Sequence, residues 1–302
     1  MEPAEVTFDE SSFEGFPVLS HFPSNMSALV FMFHGSGGSE RFIQRLENRE
    51  IMARLIPLGY GFVSTASTLR AAPRRWQADS VNPKENADLA RIQRLYDELV
   101  ENKVIGKTNP VFAMGMSNGA AFTGVFAMAA AGMGMPVAAV ALYEGPFTRA
   151  VVEAMREGRP MPPAFQVLAV NDPLVGFTPQ MKNAKAIAEA GYSLDLQIAE
   201  ERAVTPADFQ GIPEIGTRAQ EVFDRLVAAR VIDEAGKRLI ELRPGREGLS
   251  ASLQSFAETL NALPAADSIR DQLLIAWASH KMRSDFASEQ VAFFERHRNR
   301  LN

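Results

Sequence analysis

From Ala28 onward, short unbroken apolar runs alternate with longer segments of helical periodicity, and nothing else in the chain constrains its fold as much. A run with no polar alternation is buried on both faces, and strands buried on both faces belong to parallel sheets covered by helices. The predicted strands are Ala28–Phe33, Gly61–Ser64, Val111–Met114, Val137–Tyr143, Phe165–Val170 and Tyr192–Ile198. Between them the periodicity predicts helices over Ser39–Leu58, Asn86–Glu101, Asn118–Ala131 and Pro179–Ala190. In the second of these Leu89, Ile92, Leu95, Tyr96, Leu99 and Val100 recur at threes and fours to form one apolar face. The expected class is therefore α/β, a mostly parallel, doubly wound sheet with right-handed crossovers. Ahead of it, Val6–Phe8 and Phe16–Leu19 read as a short edge hairpin.

The alternation stops after Ile198. Over 201–266 there is no further buried strand, but two amphipathic stripes recur: Val222, Phe223, Leu226, Val227 and Val231, then Leu249, Leu253, Phe256, Leu260 and Leu263. The polar stretch Ile232–Leu242 between them reads as a small hairpin. Residues 201–266 are thus expected to form a helical cap inserted into a core made of 1–200 and 267–302. That core closes with helices over Asp267–Ala278 and Asp285–Arg298, the latter carrying Phe286, Val291 and Phe294. With 46% hydrophobic and 22% charged residues in 302, the chain has the composition of a globular protein with a large core.

Charge and cysteine content remove several classes of function. Lys+Arg 31 against Asp+Glu 36 leaves a net charge of -5 with no basic cluster, so no nucleic-acid surface is expected. The absence of cysteine excludes disulfides, thiolate metal sites and a cysteine nucleophile. The start, Met1-Glu2-Pro3-Ala4-Glu5, lacks the basic and apolar parts of a secretory signal, and Gly132, Gly134 and Pro136 interrupt the longest apolar stretches. A cytoplasmic protein without a membrane partner is the expectation.

The chemistry-bearing motif is Gly115-Met116-Ser117-Asn118-Gly119, set between a predicted strand and a helix of small residues. In that context G-x-S-x-G is a nucleophile elbow: the turn strains the serine backbone and exposes its hydroxyl, and the glycines leave room for neighbouring backbone. Directly after the first buried strand stands His34-Gly35-Ser36-Gly37-Gly38. Amides there, at Ser36, would join the amide of Asn118 as an oxyanion hole. A dinucleotide loop is the rival for this segment, but G-x-G-x-x-G fails at Glu40 and no acid ends the next strand.

A serine nucleophile needs a base, and there are four histidines. His21 lies in the edge segment, His34 in the glycine loop and His297 in a charged tail, which leaves His280, in Trp277-Ala278-Ser279-His280, after the nucleophile as the chain order Ser, acid, His requires. Two carboxylates end buried strands and compete for the acid: Asp172, in Asn171-Asp172-Pro173-Leu174-Val175, and Glu144, in Tyr143-Glu144-Gly145. The turn after the penultimate strand favours Asp172, with Glu144 lining the pocket or capping a turn.

These segments resemble the α/β-hydrolase superfamily, and G-M-S-N-G-A with H-G-S-G-G looks like its polyhydroxybutyrate depolymerase-like and feruloyl-esterase-like carboxylesterase branch. The resemblance covers about Ala28 to Ile198 and the end from Ser268. It departs from that branch in lacking a secretion signal and in the long block between Asp172 and His280. It implies an α/β-hydrolase fold and a serine esterase acting on a small acyl ester, without metal or organic cofactor. Phe147, Glu144, Trp277 and Trp76 are the candidates for contacting substrate, and Arg74 and Arg75 for meeting an acidic group on it. An acyltransferase or lyase with the same triad, and a non-catalytic binding protein, remain the competing classes.

Overall fold

The computed structural model describes residues 6–242 and 257–299, together with 245 and 254. Eight strands form one sheet: β1 (Asp9–Phe13), β2 (Phe16–His21), β3 (Ala28–Phe33), β4 (Tyr60–Thr65), β5 (Val111–Met116), β6 (Val137–Tyr143), β7 (Ala164–Ala169) and β8 (Leu194–Ala199). Their order is β1-β2-β4-β3-β5-β6-β7-β8. β1, β2 and β4 pair antiparallel, and β4, β3, β5, β6 and β7 follow one another in parallel. Every residue of β3 and β6 is buried, which is the reason both read as solid apolar runs.

The crossovers carry α1 (Leu46–Leu55), α2 (Ala87–Glu101), α3 (Asn118–Ala129), α4 (Arg149–Arg156) and α5 (Phe177–Glu189). Asn86 caps α2, its side chain accepting from Leu89 N, and Leu89, Ile92, Leu95 and Tyr96 sink into the same core as Phe31, Phe33 and Val111. α3 is buried almost all round, and its small residues let it lie close to its neighbours: a Cβ on Gly119 would strike the Phe33 carbonyl oxygen of β3, and a methyl at Gly124 would stand 3.3 Å from the Phe147 ring. The second half of the chain adds α6 (Ala207–Gln210), α7 (Ala219–Ala228), α8 (Ala257–Asn261), α9 (Ala266–Ala276) and α10 (Ala287–His297). From α10, Phe294 packs on Phe112 of β5 at 4.6 Å between ring centroids, and the Tyr143 hydroxyl donates to Gln290 Oε1.

Two units divide the chain. One runs through Val167, resumes over Lys182–Gln197 and again from Arg283; the other comprises Leu168–Met181 and Ile198–Met282. The first carries nearly all of the sheet. The second has its own interior, in which Phe209, Ile212, Val222, Leu226, Leu260 and Leu273 are buried. It is discontinuous and wider than the predicted block 201–266. Of the second amphipathic stripe, Leu249, Leu253 and Phe256 lie outside the described residues. The expected hairpin over Ile232–Leu242 is reduced to one antiparallel bridge, Ile232 with Arg238. No helix among the described residues is long and apolar enough to cross a membrane.

Local differences from the sequence expectations have physical causes. The first strand is Asp9–Phe13, not Val6–Phe8, because Glu14 and Gly15 adopt positive φ (51° and 74°) in a two-residue turn that registers Phe13 on Phe16. The predicted helix Ser39–Leu58 is interrupted at Arg45, extended at φ -60° and ψ 144°. α4 was not anticipated; Thr148 caps it by accepting from Val151 N, and Val151, Ala154 and Met155 form its buried stripe.

Candidate active site

Ser117 joins β5 to α3 at φ 58° and ψ -120°, a conformation that side-chain-bearing residues seldom adopt. Its amide donates to the carbonyl of Tyr143 at the end of β6 (2.9 Å), and its carbonyl accepts from Ala121 N (3.0 Å). The flanking glycines are required by close approach. A Cβ on Gly119 would strike the carbonyl oxygens of Phe33 and His34, and one on Gly115 would strike the backbone of Gly119 and the Thr123 hydroxyl. Gly145 belongs to the same arrangement and was not anticipated. A Cβ there would meet the Ser117 carbonyl oxygen at 2.5 Å, so the chain leaving β6 passes against the elbow; its only sequence signal is a glycine two residues after a strand.

The loop after β3 is fixed by its own histidine. His34 is buried, with Nδ1 2.7 Å from the Gly35 carbonyl, and its Nε2 accepts from Ser67 N (3.2 Å), so the ring is neutral with the proton on Nδ1. Burial pushes its pKa down to about 4; the Arg74 charge lowers it further and the Gly35 hydrogen bond works in the opposite direction. Gly35 runs so close to the elbow that a Cβ on it would lie 3.4 Å from Ser117 Cβ. Gly37 N donates to the Arg74 carbonyl (2.8 Å) and Gly38 N to the Gly35 carbonyl (3.0 Å). The amides of Ser36 and Asn118 donate to no atom among the described residues. Asn118 is also held by its side chain: Oδ1 accepts from Trp76 N (2.7 Å) and Nδ2 donates to the Trp76 carbonyl (3.2 Å).

The neutral state of His34 has a consequence for stability. Its folded pKa lies below the ordinary 6.5, so between about pH 4 and 6.5 the unfolded chain binds the proton that the folded one refuses. Stability is therefore expected to fall as pH drops through this window, by about 3 kcal/mol from this residue. Denaturant unfolding at several pH values measures the slope, and a ring resonance of His34 that titrated near 6.5 would contradict it.

Asp172 and His280 meet within the second unit. Asp172 Oδ2 lies 2.8 Å from His280 Nδ1 and also accepts from Gln180 Nε2 (3.1 Å), while Oδ1 accepts from the amides of Leu174 and Val175 (2.8 and 3.0 Å). Burial alone would raise this carboxyl; the hydrogen bond from His280, its charge and the two amides outweigh burial and hold the pKa below the usual carboxylate value. An ionised carboxylate only accepts, so Nδ1 carries the proton of this bond. Asn171 sets the pair in place: its amide donates to the Ala278 carbonyl (3.0 Å) and its side chain to the Trp277 carbonyl (2.9 Å), joining the acid's loop to the histidine's. Neither Asn171 nor Gln180 carries any sequence signal for this role.

The strand order, with a strained serine at the β5–α3 turn and a glycine loop after β3, decides the architecture. The fold is that of the α/β-hydrolases. No family model matches the chain, and no curated protein matches its sequence. Among solved structures, an acetyl xylan esterase from Aspergillus awamori is 13% identical with a TM-score of 0.48, over 61% of this chain and 80% of that one. An S-formylglutathione hydrolase from Staphylococcus aureus is 12% identical at 0.48, covering 64% and 90%. A thermophilic esterase from Thermogutta terrifontis is 17% identical at 0.46, covering 78% and 96%.

The four residues expected to contact substrate are all buried, none being more than 3% exposed. Trp76 stacks on Phe122 (4.8 Å), sets its edge to Phe33 and donates from its indole to the His34 carbonyl (3.0 Å), so it supports the glycine loop. Phe147 fills the core beside Gly124, with its amide bound by Asn183 Oδ1 (3.1 Å). Trp277 ends α9 with its ring fully buried. Glu144, at φ 50°, forms a buried ion pair with Arg283, whose Nε and Nη2 lie 3.0 and 2.9 Å from Oε1. Aromatic residues near a motif are most often core, as these are. A groove of about 770 Å³ in the first unit, between Asp79, Glu85, Met128, Glu153 and Arg159, includes none of the site residues.

Proposed function

We propose that this chain is a serine hydrolase that cleaves the ester bond of a small acyl substrate. Ser117 Oγ attacks the acyl carbon while His280 Nε2 takes its proton, and Asp172 orients the ring and stabilises the imidazolium. The oxyanion is met by the amides of Ser36 and Asn118, each such donor being worth roughly 3 to 4 kcal/mol. Collapse breaks the bond to the leaving alcohol, which receives the proton from His280. Water then attacks the acyl-enzyme, again giving a proton to His280, and the acid departs as Ser117 is regenerated.

The observation that carries this reading is the conformation of Ser117, φ 58° and ψ -120° at a strand-to-helix turn, with the amide of the next residue unengaged. Backbone strain of this kind costs roughly 1–3 kcal/mol and is concentrated at functional sites. The Asp172–His280 hydrogen bond and the chain order Ser, Asp, His support it further. A neutral fluorophosphonate provides the test: it is expected to label Ser117 and no other serine, because only an activated hydroxyl reacts. An unlabelled protein would leave a binding protein as the better account. Product analysis with a competing alcohol then separates hydrolysis, which releases free acid, from acyl transfer, which gives a new ester.

A further inference from the structure

The segment 66–86, between β4 and α2, is long for a connection yet tied down along its length. The buried carboxylate of Asp88 accepts from Thr68 N and Gln77 N (2.6 and 2.8 Å). Asn86 Nδ2 donates to the carbonyls of Gln77 and Ser80 (2.9 and 2.8 Å). Within this frame the stretch Arg74–Trp76 is held at both ends beside the elbow: the Arg74 carbonyl by Gly37 N, and the Trp76 backbone by both polar atoms of the Asn118 side chain. Gly37 belongs to the loop that touches Ser117 through Gly35, and Asn118 is the residue after Ser117. The two arginines in the stretch are therefore positioned by the same contacts that shape the serine's surroundings.

Their side chains are exposed, and neither forms a hydrogen bond or ion pair with any described residue. Arg70, in the same segment, behaves differently: it lies over the Phe16 ring at 4.5 Å and donates to the Gly15 carbonyl (3.0 Å). Nearby Arg94 is likewise paired, with Glu14. The charge of Arg74 is felt at the buried His34 ring, which lies against Trp76. In a chain of net charge -5, two guanidinium groups without acidic partners, anchored through their backbone beside a nucleophile, are suited to receive an anion.

Resting on Ser117 as the nucleophile, we propose that Arg74, with Arg75 beside it, binds an anionic group, a carboxylate or a phosphate, carried by the substrate. A planar fork of donors matches either oxyanion, and a charge-assisted hydrogen bond that is kept in the transition state raises kcat/KM for the charged substrate about tenfold or more.

The test compares three fluorophosphonates that share one alkyl chain and differ at its end: methyl, carboxylate or phosphate. Both anionic probes are expected to label Ser117 faster than the methyl probe, and the larger of the two ratios identifies the oxyanion. Raising the salt from 0.05 to 0.5 M should shrink both ratios, since the guanidinium groups are exposed. In R74A/R75A the ratios should fall to about one, and in R74K/R75K they should recover in part; each enzyme's own methyl-probe rate is the reference. Labelling by all three probes at equal rates in the wild type would overturn anion recognition while leaving Ser117 as nucleophile. Anionic preference that survived R74A/R75A would remove these arginines from it. No labelling by any probe would overturn the serine-hydrolase reading, and this assignment with it.

Discussion

Replacing Ser117 with alanine is expected to abolish fluorophosphonate labelling and to lower kcat by on the order of 10⁴ to 10⁶, because in the proposed mechanism its hydroxyl forms the acyl-enzyme. The folded state should be little affected. Alanine also has a Cβ, so it endures the same backbone at φ 58° and ψ -120°, and the bonds made by the Ser117 amide and carbonyl are retained. Glycine at this position is more informative. It is equally inactive, but it adopts positive φ without penalty, which relieves roughly 1–3 kcal/mol of strain against a loss of roughly 0.5–1 kcal/mol from its freedom in the unfolded chain. Ser117→Gly should accordingly be about 1 kcal/mol more stable than Ser117→Ala in denaturant unfolding. Equal stabilities would mean that the turn is not strained, and an elbow built for exposure of the hydroxyl would lose its physical basis.

Much of the sheet was legible in the sequence because burial on both faces leaves a pattern that no other environment imposes. β3 and β6 coincide with the predicted runs, and β4, β5, β7 and β8 differ by a few residues at their ends. β1 was misplaced since Asp9–Phe13 is almost wholly exposed, and its position is decided by the Glu14-Gly15 turn and not by apolar spacing. The elbow and the glycine loop were legible for a similar reason: close backbone approach admits only glycine at 115 and 119, so the constraint is written in residue identity.

What was not legible is the set of side-chain to backbone bonds that position those motifs. Asn118 gripping Trp76, Asp88 gripping Thr68 and Gln77, and Asn171 gripping Trp277 have no period and no fixed spacing. The second unit escaped for the same reason. Its early part, Leu168–Met181, is joined to Ile198–Met282 by the bond of Val170 N to the Ala199 carbonyl and by Asn171, which also donates to Glu201 Oε2 (2.7 Å). A contiguous insertion is what a reader of sequence can see; a discontinuous unit closed by hydrogen bonds is not.

The competition between Asp172 and Glu144 for the role of acid yields the other large expected effect. In Asp172→Asn the Oδ1 position can still accept from Leu174 and Val175, so the turn is kept. An amide nitrogen at the Oδ2 position, however, faces two donors, His280 Nδ1 and Gln180 Nε2. The ring then gains by moving its proton to Nε2, which under the proposed mechanism leaves no lone pair to take the serine's proton, and a wrong tautomer of this kind costs roughly 10⁴ in rate in the serine-protease template. Glu144→Gln acts through a different partner, Arg283. It removes one charge of a buried pair and leaves the Arg283 guanidinium undercompensated, for which about 3–5 kcal/mol of destabilisation is the usual scale. The two substitutions are therefore expected to separate on two axes: Asp172→Asn folds and labels slowly, whereas Glu144→Gln unfolds at lower denaturant but, while folded, reacts within about tenfold of the wild type. Labelling rates and denaturant midpoints on the same preparations read both axes. Should Glu144→Gln prove the slower enzyme at full folding, the orienting carboxylate would be Glu144, and the Asp172–His280 bond would be a structural tie between two loops.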